Sequence, residues 1–145
     1  MIVMMRYLVV ANQTLGGEHL LRLLQERVSS GPCVLHVLVP ASADPTEVTH
    51  DEVQERLLAN RRLEDALQRF GDLGAEVTGE VGDHRPADAI RDVLRRGEQF
   101  DEIILSTLPA GVSRWLRLDV VSQVDRAVDL PVTHVIAEDT PVSSG

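Results

Sequence analysis

Residues 102–120 read EIILSTLPAGVSRWLRLDV: a short apolar run, a loop, and the first residue of a helical stripe. The run at 102–106 is continuous rather than alternating, the pattern of a parallel strand covered on both faces. The loop after it holds one glycine, a proline, an aspartate and two arginines. Four more apolar runs lie at residues 7–11, 33–39, 75–81 and 132–137. Between them fall helical stripes, one of Leu20, Leu21, Leu24 and Val28, a longer one of Val53, Leu57, Asn60, Leu67 and Phe70, and a last one of Val120, Val124 and Val128. The alternation predicts β-α-β-α-β-α-β-α-β, a doubly wound parallel sheet of five strands with helices on both faces. We expect one domain over residues 1–138 and a loose polar tail over 139–145.

Helix ends are written locally. Thr49 and Glu52 have capping-box spacing, with Thr46 as a competing start. Pro86 suits a first helical turn and Gly97 the residue after a helix end. Glu52–Arg56, Asp65–Arg69 and Asp92–Arg96 are spaced as favourable i,i+4 pairs on solvated faces.

Composition excludes several classes of function. The net charge is −9 and the chain has no lysine, its 14 basic residues all being arginine. That disfavours nucleic acid and anionic membrane as partners, and it removes Schiff-base chemistry and the lysine-bearing phosphate loop. A chain of 145 residues buries about 70% of its unfolded surface and needs no metal or disulfide to fold. The single cysteine, Cys33, heads the run CVLHVLV and reads as a buried thiol in a reducing compartment, so a cytoplasmic location is expected. The opening MIVMMRYLVV is interrupted by Arg6 and reads as a strand, not as a signal peptide or membrane span. The five histidines have no metal spacing: His36 and His134 lie in strands as satisfied groups, and His19, His50 and His84 lie at exposed helix starts. No acid pair, triad or zinc motif points to an enzyme.

In open parallel sheets, ligands bind outside the carboxyl ends of the strands where the strand order reverses. The segments in that position are ANQT at 11–14, GDHR at 82–85 and the stretch after residue 105. Together with LHVLVP at 35–40, GEVGDHRPADAI at 79–90, DEIILST at 101–107 and LPVTHVIA at 130–137, they resemble the universal stress protein family over almost the whole chain. The resemblance implies strand order 3-2-1-4-5, a switch point between strands one and four, and a homodimer through the last strand. Members that bind ATP carry glycine, two residues, glycine, nine residues, glycine, then serine or threonine. The matching positions here are Ser106, Pro109, Asp119 and Val120. None is retained. Pro109 has no N–H, Asp119 sets a carboxylate against a phosphate, and Val120 has no hydroxyl.

The residues of these segments keep more than one meaning. Asn12 suits either an adenine edge or a turn bonding its own backbone. Asp119 suits an N-cap. Arg114 and Arg117 suit an anion, a pair with Asp119 or solvent, and Ser106, Thr107 and Gly82 complete the set of ligand-binding candidates. Trp115 reads as a lid on the sheet edge or a partner contact, and His84 and Arg85 as solvated loop or pocket rim. The expected function is a non-enzymatic universal-stress-type regulatory or interaction module, with an unidentified protein partner and no cofactor. Its alternative is a nucleotide- or small-anion-binding sensor with a modified pocket at the ends of strands 1 and 4, for which ATP or another adenine nucleotide is the candidate ligand. A hydrolase of adenine nucleotides ranks below both, for want of a base or metal site.

Overall fold

The computed structural model describes residues 4–41, 52–109 and 111–137, without the side chains of Glu52 and Arg114. The elements run β1 (Met5–Val10), α1 (Glu18–Ser29), β2 (Cys33–Pro40), α2 (Glu52–Gly71), β3 (Glu76–Gly82), α3 (Pro86–Arg95), β4 (Glu102–Thr107), α4 (Arg114–Arg117), α5 (Val120–Ala127) and β5 (Val132–Ile136). The strands form one parallel sheet in the order β3-β2-β1-β4-β5. Both the fold class and the strand order match the expectation. The tail at 139–145, Thr46, Thr49 and His50 lie outside the described residues, as does the Glu52–Arg56 pair.

Strand alternation divides the core into two layers. Val9, Leu35, Val37 and Ile104 point towards α1 and α2, packing with Leu20, Leu24 and Phe70. Leu8, Val10, Ile103 and Leu105 point the other way, towards Ile90 and Val93 of α3 and Val120 and Val124 of α5. Each such side chain contributes at most about 1.5–3 kcal/mol of burial, the upper bound set by an extended unfolded chain. Cys33 is buried, as expected, and burial pushes its thiol up from the usual range.

The long helix corrects the sequence. Val53 and Leu57 are 65% and 64% exposed, and Asn60 is exposed. Phe70 is buried and Leu67 packs against the core, as expected, but the rest of the buried stripe is Ala59, Leu63 and Ala66. Two alanines let α2 lie close on the sheet. A Cβ added at Gly79 of β3 would stand 2.5 Å from Leu63 Cδ1 and 2.9 Å from the Val37 carbonyl oxygen.

Helix α3 begins with Pro86 at its first position and ends before Gly97, at φ 89°. The i,i+4 pairs do not form as expected. Arg69 donates to the Gly16 carbonyl at 2.9 Å, and Asp92 meets Arg95 instead of Arg96. Arg96 is drawn across to β3, where both its NH groups donate to Glu80. A long-range carboxylate held against the sheet offers the guanidinium a bidentate fork that an exposed helical neighbour does not.

Candidate functional site

The switch point lies between the carboxyl ends of β1 and β4. The turn after β1 carries Asn12 and Thr14, both 6% exposed. Asn12 Nδ2 donates to the Pro40 carbonyl at the end of β2, at 2.7 Å. Arg62, reaching over from α2, donates to Asn12 Oδ1. Across the crevice, the hydroxyls of Thr14 and Ser106 are 2.6 Å apart. This bond ties the turn after β1 to the end of β4, and Ser106 is 1% exposed. Thr107 is buried next to it, with its Oγ1 2.8 Å from His134 Nε2 on β5 and 3.0 Å from the Leu108 carbonyl oxygen. Burial holds His134 below the usual histidine range, because it penalises the charged imidazolium.

The loop after β4 folds onto its own carbonyls. The N–H groups of Val112 and Ser113 donate to Pro109 O, at 3.2 and 3.0 Å, that of Arg117 to Ser113 O and that of Asp119 to Leu116 O. Ser113 Oγ accepts the Leu116 N–H at 3.1 Å, capping the short α4. A phosphate cradle needs such N–H groups turned outwards. Here four are turned inwards, and Pro109 has none.

Asp119 corrects its expected role. It stands at the N-cap position of α5, but its backbone is left-handed, at φ 58° and ψ 39°, and its side chain makes no cap hydrogen bond. An N-cap residue bonds from extended backbone. Left-handed geometry is what glycine adopts without strain and what aspartate tolerates. The family signature places a glycine at this position, and the backbone here keeps the conformation such a glycine would take.

The remaining candidates separate. Gly82 serves packing: a Cβ there would stand 3.0 Å from Ala89 Cβ and 3.0 Å from Leu38 Cδ1, where α3 crosses β3. Arg117 is exposed and makes no ion pair with Asp119 among the described residues. The side chain of Arg114 lies outside them. His19, expected at an exposed helix start, is half-buried with Nδ1 2.9 Å from the Ile136 carbonyl oxygen.

Among the described residues, two cavities adjoin this end of the sheet. One, of about 250 Å³, lies against α2 and is lined by Asn12, Gln13, Arg62, Asp65 and Arg69 among others. The other, of about 590 Å³, lies between α3 and α5 and takes in His84, Arg85, Arg91, Trp115 and Arg126. Trp115 is half-buried and packs against the core under α3 and α5, as the lid reading expects. Arg62, Arg91 and Arg126 line these cavities and were not singled out by the sequence; the partner of Arg62 lies 50 positions away along the chain.

Away from the switch point, His36 is satisfied on both nitrogens, at 2.7 Å from Thr78 Oγ1 and 2.7 Å from Glu80 Oε2. The Arg96 fork holds the Glu80 carboxyl below its usual range, against its burial and with help from His36. His36, Glu80 and Glu98 are the one group of metal-capable atoms gathered within 4.8 Å among the described residues. Arg96 supplies the positive charge there, and the group is an ion-pair cluster.

No protein-family model matches the chain, and no curated protein matches it. Solved structures do. A universal stress protein family protein from Arabidopsis thaliana, with AMP bound, is similar over 96% of this chain and 97% of its own, at 11% identity and a TM-score of 0.63. The universal stress protein from Archaeoglobus fulgidus in complex with dAMP is 18% identical, with a TM-score of 0.55 over 93% of this chain and 99% of its own. The universal stress protein UspA from Lactobacillus plantarum is 18% identical, with a TM-score of 0.57 over 90% and 97%. With the strand order, the switch point between β1 and β4 and these three likenesses in place, the chain has the universal stress protein fold.

Proposed function

We propose that this chain is a non-enzymatic regulatory or interaction module of the universal stress type, lacking the standard ATP cradle. The observation that carries this is the Thr14–Ser106 bond, which spans the switch point with both hydroxyls buried. Two facts support it: four of the loop N–H groups are spent on loop carbonyls, and Asn12 is held from both ends of its amide. Similar proteins have AMP or dAMP bound, so adenine nucleotides are the ligands to test.

The test is isothermal titration of ATP and of AMP into the parent and into the variant Ser106→Gly, Pro109→Gly, Asp119→Gly, Val120→Ser. The variant regains close backbone approach, one N–H and a hydroxyl, and it loses the carboxylate and the Ser106 bond. We expect no heat from the parent and measurable ATP binding by the variant. Tight binding by the parent refutes the proposal. Silence from a folded variant means that the adenosine half of the site is gone as well.

A second reading, a sensor with a modified pocket, is favoured by the cavity beside Asn12, where Arg62 and Arg69 bring positive charge. At about 250 Å³ it is smaller than the roughly 300–1,000 Å³ of ordinary ligand pockets. AMP binding by the parent that is lost in Arg62→Gln would favour this reading over the first.

The module is further proposed to be a cytoplasmic homodimer paired through β5. That strand ends the sheet, and its Ile136 is 47% exposed. Exposed apolar edges are covered or paired in stable proteins, and the two-fold dimer is the commonest oligomer. Light scattering at tens of micromolar tests this, a monomer being the contrary result. No helix among the described residues is long and apolar enough to cross a membrane.

A further inference from the structure

The geometry points to a second binding site, the groove between α3 and α5, for a small organic anion with a planar apolar body. The groove measures about 590 Å³, within the roughly 300–1,000 Å³ of small-molecule sites. Its inner wall is apolar: Ala87 at the first turn of α3, Val120 at the first turn of α5, and Leu118. Trp115, half-buried on the adjoining short helix, offers an aromatic surface at one side.

Its rim is cationic. Arg85 and Arg91 flank Asp88 at 3.5 and 3.0 Å, and Arg126 has no side-chain hydrogen bond or ion pair among the described residues. Three arginines against one aspartate give the lining a net +2 with His84 neutral, on a chain whose net charge is −9. That local reversal of sign is what an anion would recognise. Guanidinium groups suit carboxylate and phosphate oxygens because their N–H donors are set in a planar fork. Asn12, Thr14, Ser106 and Thr107 do not line the groove; of the four signature positions only Val120 does, at its apolar wall.

The chain has one tryptophan, which gives the groove its own reporter. The experiment follows the single indole N–H resonance in the correlation spectrum of nitrogen-labelled protein, with naphthoate as the probe. We expect a saturable displacement of that resonance in the millimolar range or below. Naphthalenemethanol, with the same ring and no charge, should bind at least tenfold more weakly, and so should inorganic phosphate, which has charge and no ring. Arg91→Gln/Arg126→Gln should weaken naphthoate at least tenfold. Both positions are exposed, so the double variant is expected to fold. The dispersion of the same spectrum checks this, and Arg126→Gln alone is the fallback. An indole resonance that naphthoate does not move overturns the proposal. So does equal affinity for the acid and the alcohol, or undiminished affinity in the folded variant. Phosphate binding as tightly as naphthoate overturns the role given to the apolar wall. ATP titration, which decides the switch-point proposal, is separate from each of these outcomes.

Discussion

The β1–β4 crevice and the α3–α5 groove differ in how their polar groups are satisfied. In the crevice between β1 and β4, Asn12, Thr14, Ser106 and Thr107 are buried and bond to one another or to neighbouring strands. In the groove between α3 and α5, the polar groups are arginines on an open rim above an apolar wall. A buried network with every member paired penalises any change that orphans one. Rim arginines in water contribute little to stability and keep their donors available.

The largest effect expected is in the crevice. Thr14→Val keeps the shape and removes the hydroxyl, leaving Ser106 Oγ buried without its partner, and should cost about 1.5 kcal/mol in denaturant unfolding. Thr14→Val/Ser106→Ala removes both polar groups and should recover most of that loss. Simple additivity of the two single changes would break the comparison, because it would mean that the hydroxyls are not coupled.

Asp119→Gly sharpens it from the loop side. Asp119 is the one described non-glycine residue with positive φ, and glycine adopts that conformation freely. Thermal unfolding should show a gain of about 0.5–1 kcal/mol, unlike the loss expected of a glycine placed in ordinary backbone. A loss would mean that the aspartate side chain is stabilising in a way the geometry does not account for.

Acid should weaken the crevice next. His134 beside Thr107 has its folded pKa depressed by burial below the unfolded value. Its contribution is therefore complete above the unfolded pKa of about 6.5 and is lost as pH falls through the folded pKa. Melting temperature measured between pH 7.5 and pH 5 should fall more steeply for the parent than for His134→Gln. Parallel curves would remove His134 from the network.

The smallest effect is in the groove. Arg126→Gln should change stability by less than about 0.5 kcal/mol, as exposed substitutions do. A loss comparable to that of Thr14→Val would show the rim to be structural.

What could be seen beforehand follows the range of each interaction. The strands were legible because a parallel strand buried on both faces is a continuous apolar run, and each run found its strand to within a residue or two at either end. Pro86 and Gly97 act through their own backbone and took the places expected of them. The buried face of α2 was legible at Leu67 and Phe70 and missed towards its start, where Ala59 and Ala66 carry it, alanine marking a core only when a neighbouring backbone comes close. The crevice was half legible. Loss of the signature glycines could be read from four positions, whereas the bonds that fill the space join residues 92 and 50 positions apart, Thr14 to Ser106 and Arg62 to Asn12. No local pattern encodes such a pair. Asp119 was misread because capping preference is a statement about extended backbone, and its left-handed turn is set by the loop that precedes it.

The most direct measurement of the central claim, that the switch-point cradle is closed, is the melting temperature of the parent with and without millimolar ATP and Mg²⁺. A ligand at 100 times its dissociation constant adds about 2.7 kcal/mol, which for a domain of this size is about 5–10 °C. With Thr14 bonded to Ser106 and four loop N–H groups turned inwards, the shift should stay below about 2 °C. A shift of the full size would contradict the account and show that the crevice opens to take the nucleotide.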